Sequence, residues 1–406
     1  MKPSRRTFLT ATGAVVAAGI AQIPLTAAFD PLEKSIRELQ RAMGARQITS
    51  AQLVQFYMDR IAGYDAVVNA MLFLNPNALA DARALDAERR RGRVRGPLHG
   101  IPILLKDNFD TKDMPTTGGC LALAGIVPNA DAFQVKKLRD AGAVLLGKVN
   151  LHELALGLTT VSSLGGQTRD AYDPARAPGG SSGGSAVAAT MNFAAATLGT
   201  DTSGSIRIPS AHNNVVGLRP SLGLSSRAGI IPFGHTQDTG GPIARTVEDV
   251  AVLLDATVGD DPDDPSTTEG NGNIPRTYTS SLRRDALKGA SIGVLVENFG
   301  TAPEDREVGD VVRRALDEMK ARGAALIDVA VPNLAAQLQA SNLLTQELKF
   351  YLGEYLKKSG GPVVSVDDLL ASGLYSAQLE GILNIAARTA DDYLSSDDYK
   401  RRLAAR

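Results

Sequence analysis

Residues 31–95 carry hydrophobic side chains at the three- and four-residue intervals that are typical of amphipathic helices. After Ile48-Thr49-Ser50, one apolar helix face would be formed by Leu53, Val54, Tyr57, Met58 and Ile61. The stretch 78–91 is rich in Ala, Arg and Asp and also favours a helix. The pattern therefore predicts that this part of the chain is helical.

From residue 100 onward, short apolar runs alternate with helical patterns. Residues 101–105 form an apolar run bounded by turn residues, which predicts a buried strand. Helices are predicted at 132–141 and 305–322, and strands at 143–146, 215–218, 230–231, 291–297 and 324–331. Such alternation predicts an α/β fold with a single large mixed β-sheet as its core, surrounded by helices.

Three further segments differ in composition. Residues 165–184 are rich in Gly, Ser and Pro and predict a loop, whereas 185–196 are small and apolar and predict a closely packed helix. The polar residues 260–281 predict a surface loop, and 332–406 are expected to be mostly helical.

The first 28 residues have the pattern of an export signal. Arg5-Arg6 precede Thr7-Phe8-Leu9, and no charge follows until Asp30, which predicts a twin-arginine signal peptide. Pro24 and the Ala/Gly-rich composition argue against a lasting membrane anchor. We therefore expect an exported protein, periplasmic or secreted, whose main domain is 29–406; the alternative is an amino-terminal helix with two surface arginines.

Composition excludes several classes of protein. The chain has 43 Lys+Arg against 44 Asp+Glu, a balance that argues against a nucleic-acid partner. The single cysteine, Cys120, excludes an internal disulfide. The four histidines show no paired-ligand spacing, so neither a metal nor a cofactor is expected. The oligomeric state stays open.

Two motifs have a familiar spacing. The run Gly142 to Val149 has the Gly and Lys148 spacing of a phosphate loop, but Val149 replaces the magnesium-binding hydroxyl and the residues between the glycines favour a strand. The run 180–184 fits the Gly-x-Ser-x-Gly nucleophile elbow centred on Ser182. Asp201 and His235 would complete such a Ser-His hydrolase, but a loop rather than a strand precedes the motif.

Two other stretches offer chemistry that does not need histidine. Residues 199–209 form a turn of small residues whose backbone N–H groups could converge on an anion. Lys106 leaves the predicted buried strand, and burial would lower its pKa and make the neutral amine a competent base.

Taken in order, these motifs resemble the amidase signature family. The resemblance rests on Gly100 to Asn108, on Gly179 to Ser185 and on Gly199 to Pro209, and it extends to 216–220 and 238–246. It covers residues 32–260 densely and the remainder loosely. It implies an amidase, a hydrolase of linear amide C–N bonds.

The resemblance implies a Ser-Ser-Lys triad. Ser205 would be the nucleophile that forms an acyl-enzyme, Ser181 would relay protons and carry a cis peptide bond, and neutral Lys106 would be the base. The oxyanion hole would be formed by four backbone amides of the turn, those of Thr202, Ser203, Gly204 and Ser205. Three further side chains would support the site, namely Ser182, Asp201 and Arg207.

The substrate would be a small-molecule or peptide amide. The stretches 226–232 and 237–239 resemble those of secreted peptide amidases, which release ammonia from C-terminal peptide amides. Family chains usually continue beyond the point that corresponds to Arg406, so we expect the fold to lack the usual carboxyl-terminal end. A truncated, non-catalytic binding protein is therefore the alternative to an active amidase.

Overall fold

The computed structural model describes residues 29–406, and the predicted signal peptide lies outside them. The fourteen α-helices of that part of the chain are α1 (Ile36–Gly44), α2 (Ser50–Val68), α3 (Ala78–Arg90), α4 (Phe133–Asp140), α5 (Gly183–Thr190), α6 (Arg207–His212), α7 (Val247–Thr257), α8 (Ser266–Gly270), α9 (Arg306–Ala321), α10 (Leu334–Ala340), α11 (Leu344–Ser359), α12 (Val366–Ser372), α13 (Glu380–Ala387) and α14 (Asp397–Ala404). The ten strands are β1 (Met71–Leu74), β2 (Pro102–Lys106), β3 (Val144–Val149), β4 (Val161–Ser162), β5 (Gly166–Gln167), β6 (Ala196–Asp201), β7 (Val216–Gly217), β8 (Thr239–Ala244), β9 (Ser291–Val294) and β10 (Ala325–Asp328).

A six-stranded mixed sheet forms the core, in the order β1-β3-β2-β6-β8-β7. The central strands β3, β2 and β6 are parallel, and β1, β8 and β7 join antiparallel at the two sides. Every residue of β2 and of β3 is buried, as expected for parallel strands covered on both faces. The predicted fold class, a large mixed sheet surrounded by helices, is confirmed.

The amino-terminal helices begin where the sequence supplies capping residues. Ser35 and Glu38 form a reciprocal capping box at α1, and Thr49 and Gln52 do the same at α2. Four of the five residues predicted to form the apolar face of α2 are buried, namely Leu53, Val54, Tyr57 and Ile61. Strand β1 interrupts the region that was predicted to be wholly helical.

The predicted boundaries are wrong in the middle of the chain. Strands β6 and β8 were not predicted, and β6 begins where the predicted helix 185–196 was to end. Residues 230–231 form no strand; Ile230 makes an isolated bridge to Phe109. The small residues of α5 do pack closely, because a Cβ on Gly184 would lie 2.2 Å from the carbonyl oxygen of Asn150.

The segment 260–281 is not simply a surface loop. It contains α8, and the side chains of Asp261, Asp264 and Thr267 are buried. Asp264 forms an ion pair with Arg227, whose Nε lies 2.8 Å from Asp264 Oδ2. The segment is therefore tied to the loop that carries Arg227.

Residues 332–406 are mostly helical, as predicted. A second apolar core joins α11, α12 and α13 to the residues that follow β2; it includes Leu123, Ile231, Leu348, Leu352, Leu369 and Leu383. Strands β9 and β10 form a separate parallel pair. Among residues 29–406, no helix has both the length and the apolar character needed to cross a membrane.

Candidate active site

The carboxyl ends of the parallel strands bring the predicted lysine and serine together. Lys106 is the last residue of β2, and Ser181 lies in the loop that leads into α5. Lys106 Nζ is 2.7 Å from Ser181 Oγ, and both residues have no exposed surface. Two residues that are 75 positions apart in sequence thus share a hydrogen bond inside the protein.

Burial changes the proton affinity of this lysine. It lowers the pKa of Lys106 to about 7, although the negative charges of Asp201 and Asp238 act in the opposite direction. A large fraction of the Lys106 side chains is therefore neutral near pH 7, and a neutral amine can accept a proton.

The loop around Ser181 has the shape that the resemblance implies. The peptide bond between Gly180 and Ser181 is cis. Gly180 packs directly on the backbone of the neighbouring loop, because a Cβ there would lie 2.7 Å from the carbonyl carbon of Leu158. The carbonyl of Ser181 accepts a hydrogen bond of 2.9 Å from the backbone N–H of His152.

Ser205 lies beside this loop, after the end of β6. The backbone N–H of Ser182 donates to the carbonyl of Ser205 at 3.1 Å, which places the two serine-containing loops against each other. Ser205 is 4% exposed. Within residues 29–406 the Ser205 hydroxyl makes no hydrogen bond.

The turn between β6 and α6 presents unused backbone donors. In the described part of the chain, the four backbone N–H groups of this turn donate to no acceptor; they belong to Thr202, Ser203, Gly204 and Ser205. Gly204 has a φ of +158°, a backbone conformation that other residues rarely adopt. The turn can therefore offer several N–H groups to an anion, as predicted for an oxyanion hole.

A buried carboxylate holds this turn in place. Asp201 Oδ2 accepts hydrogen bonds from the backbone N–H of Ile206 at 3.0 Å and from Arg207 Nε at 3.1 Å. Arg219, which sequence reasoning missed, adds an ion pair of 3.4 Å between its Nε and Asp201 Oδ1. Burial by itself would raise the pKa of Asp201, but the hydrogen bonds from Arg207 and Ile206 outweigh it and the pKa falls below its ordinary value. Asp201 and Arg207 thus brace the turn.

The Ser-His hydrolase interpretation is wrong on geometry. The hydroxyl of Ser182 is engaged with the backbone of Thr200, donating to its carbonyl at 3.0 Å and accepting from its N–H at 3.2 Å. The ring of His235 stacks on Tyr351 with 4.1 Å between centroids. Asp201 pairs with arginines rather than with His235. The Ser182 hydroxyl is therefore bound to the end of β6 and is not directed at a histidine.

Two buried residues were not predicted to belong to the site. Thr200 Oγ1 lies 2.7 Å from Lys106 Nζ, and Asn108 Nδ2 lies 3.0 Å from the same Thr200 oxygen. Both residues fall inside the motifs that carry the resemblance, two positions after Lys106 and one before Asp201. The sequence alone did not indicate which residues of these motifs belong to the site, because Asn108 and Thr200 contact each other between the ends of two different strands.

The loop that precedes β8 contacts the turn from the other side; residues 237–239 carried part of the resemblance, but no site role was predicted for them. Asp238 is 8% exposed and accepts hydrogen bonds from the hydroxyl of Thr202 and from the backbone N–H of Phe233. Gln237 Nε2 donates to the carbonyl of Thr202 at 3.2 Å. The turn that carries Ser205 is therefore held on both flanks.

Lys148 makes structural contacts inside the sheet core. It lies on β3, fully buried, and Nζ contacts Asp107 Oδ1 at 3.4 Å, the carbonyl of Phe109 at 2.7 Å and Thr116 Oγ1 at 2.8 Å. These partners occupy the Lys148 ammonium group, and Val144–Val149 form strand β3 rather than a phosphate-binding turn. In residues 29–406, no cluster of His, Cys, Asp or Glu is placed to hold a metal ion.

The fold and this geometry define a class: an α/β protein whose site joins a buried lysine to two serine-bearing loops. The model of the Amidase family matches residues 52–394, so the chain belongs to the Amidase family. The predicted resemblance to the amidase signature family is thus confirmed.

Individual relatives agree with the family assignment. A probable amidase of Arabidopsis thaliana is 36% identical over 378 residues, which are 89% of this chain and 72% of that protein. A glutamyl-tRNA(Gln) amidotransferase subunit of Thermobifida fusca is 42% identical over 316 residues, which are 77% of this chain and 62% of that relative. The chain thus spans less than two thirds of the length of the amidotransferase relative.

A solved structure shows the same architecture. The native peptide amidase of Stenotrophomonas maltophilia superimposes with a TM-score of 0.85 at 41% sequence identity. The superposition covers 91% of this chain and 78% of the peptide amidase.

Proposed function

We propose that the protein hydrolyses a carboxamide to a carboxylate and ammonia or an amine through an acyl-enzyme on Ser205. The observation that carries the proposal is the buried 2.7 Å contact between Lys106 Nζ and Ser181 Oγ, next to the loop that holds Ser205. A neutral lysine and a serine replace the histidine that other serine hydrolases use as the base.

The first half of the reaction forms the acyl-enzyme. Lys106 accepts the proton of Ser181, and Ser181 accepts the proton of Ser205 as Ser205 Oγ attacks the amide carbon. The N–H groups of the turn 202–205 stabilise the negative charge on the tetrahedral oxygen, and one such donor is worth about 3–4 kcal/mol of barrier. The proton then returns through Ser181 to the leaving nitrogen, and the C–N bond breaks.

The second half repeats the path with water. Water attacks the acyl carbon, its proton passes through Ser181 to Lys106, and the proton returns to Ser205 as the ester bond breaks. The free hydroxyl of Ser205 suits this cycle, because catalytic hydrogen bonds often tighten only when substrate is bound.

We propose C-terminal peptide amides as the substrate class, within the broader set of small-molecule and peptide amides. Support comes from the 41% identity to a peptide amidase over most of this chain. A cleft of about 710 Å³ runs beside the loop 227–238 and is large enough for part of a peptide. It shares Arg227, Ile230 and Asp238 with a small cavity against Thr200, which adjoins Lys106.

Hydrolysis is tested by ammonia release from a panel of peptide, aryl and aliphatic amides. The full chain is compared with the Ser205→Ala and Ser182→Ala variants. We expect loss of activity in Ser205→Ala and a smaller reduction in Ser182→Ala. Equal rates in the wild type and Ser205→Ala on every substrate would leave a non-catalytic binding protein as the better description.

We propose export by the twin-arginine route as the localisation of the protein. The support is the sequence pattern of Arg5-Arg6 and the uncharged stretch that follows. A variant with lysine at both positions, Arg5→Lys and Arg6→Lys, should remain in the cytoplasmic fraction while the wild type reaches the periplasm or medium. Equal distribution of both proteins would contradict the proposal.

A further inference from the structure

We propose that Asn108 is a positioning residue: its carboxamide oxygen accepts a hydrogen bond from the hydroxyl of Thr200 and so keeps the lone pair of Lys106 free for Ser181. This inference rests on the proposed function of Lys106 as the base.

Four buried side chains form an unbroken row. The contacts run from Asn108 Nδ2 to Thr200 Oγ1 at 3.0 Å, from there to Lys106 Nζ at 2.7 Å, and on to Ser181 Oγ at 2.7 Å. Asn108 is 1% exposed and Thr200 is 5% exposed. Bulk water therefore does not decide which group donates and which accepts in this row.

Counting hydrogens shows that the row can be arranged in two ways. Neutral Lys106 has two N–H bonds and one lone pair, and its three partners are Ser181 Oγ, Thr200 Oγ1 and the Thr200 carbonyl at 3.4 Å. The carbonyl can only accept. One hydroxyl must therefore accept from Lys106 while the other donates to its lone pair.

The two arrangements have opposite consequences for catalysis. If Ser181 donates, its proton is already directed at the base. If Thr200 donates, the lone pair is occupied and Ser181 has no acceptor for its proton. Thr200 is thus both a support for Lys106 and a competitor of Ser181.

Asn108 selects between them. A carboxamide has an accepting oxygen and a donating nitrogen. With its oxygen toward Thr200, Asn108 accepts a hydrogen bond from the Thr200 hydroxyl. Toward Lys106, the Thr200 oxygen can then only accept a hydrogen bond. With its nitrogen toward Thr200, Asn108 leaves the Thr200 proton free to turn to Lys106.

The surroundings of Asn108 favour the oxygen-inward arrangement. With the nitrogen facing Thr200, Asn108 Oδ1 is buried and has no hydrogen-bond partner among the described residues. Asn108 also lines a cavity of about 10 Å³, room for about one water that could accept from an N–H of the carboxamide. Turning the carboxamide by half a rotation gives the buried oxygen a donor, the hydroxyl of Thr200, and leaves the nitrogen on the side where the oxygen had found no donor.

The test compares Asn108→Leu, Thr200→Val and the double variant in the full chain. Asn108→Leu removes the acceptor but keeps the competing hydroxyl, so kcat should fall about tenfold or more with little change in KM. Thr200→Val removes the competitor and should cost less. The double variant should be more active than Asn108→Leu alone, because the group that occupies the lone pair is gone.

A purely structural role for Asn108 gives a different result. The double variant would then be as impaired as Asn108→Leu or worse. That outcome, or an unchanged kcat in Asn108→Leu, would overturn the inference. Thr200→Ser, which retains the hydroxyl, should stay close to the wild type and should not rescue Asn108→Leu. If Asn108→Leu does not fold, as judged by circular dichroism, Asn108→Val takes its place.

A second measurement separates this inference from the proposed function. A fluorophosphonate probe, which reacts with activated serines, is applied to the wild type, to Ser205→Ala and to Asn108→Leu. Failure to label Ser205 in the wild type would overturn the proposed function itself. Labelling of the wild type at the same rate as Asn108→Leu would overturn only the role of Asn108.

Discussion

Lys106 and Lys148 lie on the neighbouring strands β2 and β3 at the core of the sheet, yet they have different surroundings. In the β2–β3 pairing Lys148 is the partner of Leu105, the residue before Lys106, and both lysines are fully buried. Lys148 has the carboxylate of Asp107 at 3.4 Å. Among residues 29–406, Lys106 has only hydroxyl and carbonyl oxygens within hydrogen-bond distance. The sheet thus keeps one lysine as an ion-pair partner and leaves the other without one.

The unpaired lysine should give the enzyme a characteristic pH profile. The pKa of Lys106 lies at about 7 because of burial, and only the neutral amine accepts a proton. We therefore expect kcat/KM to rise with pH through about 7, and to fall about tenfold per pH unit well below it. The rate of Ser205 labelling by a fluorophosphonate, measured over a pH range that brackets this value, should follow the same curve.

His152 provides the control for this profile. Burial and the charge of Lys106 lower the pKa of His152 to about 4, so it should be neutral around pH 7. His152→Asn should keep the acidic limb in place. If the limb disappears in His152→Asn, the profile reports the histidine and the assignment to Lys106 is wrong.

The paired lysine should matter for stability. Lys148→Met leaves the carboxylate of Asp107 buried without its cationic partner, which typically costs about 3–5 kcal/mol. We expect a correspondingly lower free energy of unfolding in urea. Adding Asp107→Asn removes the stranded charge and should restore part of the loss. A double variant less stable than Lys148→Met would contradict the ion-pair explanation.

Sequence and structure agree best where chemistry and local pattern coincide. Lys106 ends a short apolar run and was a candidate base from the pattern alone, whereas Ser181 and Ser205 were assigned by the resemblance of their Gly-rich motifs to the amidase signature family. The local pattern by itself had pointed to Ser182. Strand β8 was missed because its sequence, Thr-Gly-Gly-Pro-Ile-Ala, has the residues of a turn; it forms a strand because β6 and β7 pair with it on both sides.

The missed site residues share a different cause. Asn108, Thr200 and Asp238 act through contacts between segments that are far apart in sequence, such as Asn108 to Thr200 across 92 positions. No local pattern records such a contact. The role of these residues follows only from the sheet order, which brings the ends of β2 and β6 together.

The brace on the turn that carries Ser205 should affect turnover more than binding. Asp201→Asn keeps the shape of the side chain but removes the charge that attracts Arg207 and Arg219. Misplaced N–H donors lose transition-state stabilisation, so kcat should fall up to about a hundredfold while KM changes less. Arg207→Gln should be milder, because the Arg207 side chain is 55% exposed and Arg219 remains. Equal losses in the two variants would argue against Asp201 as the organising residue.

Close packing of α5 should be as important as any polar contact, because this helix follows directly on Ser181 and Ser182. In Gly184→Ala the new Cβ would lie 2.2 Å from the carbonyl oxygen of Asn150, so α5 must move away from this residue, which directly follows β3. We expect a loss of about 1–3 kcal/mol in unfolding free energy together with reduced activity. Gly353, inside α11, has no atom of the described part of the chain within 4 Å of an added Cβ, so Gly353→Ala should instead stabilise by about 0.5–1 kcal/mol with unchanged kcat. Equal effects of the two substitutions on urea unfolding would show that contact with Asn150 does not fix the position of α5.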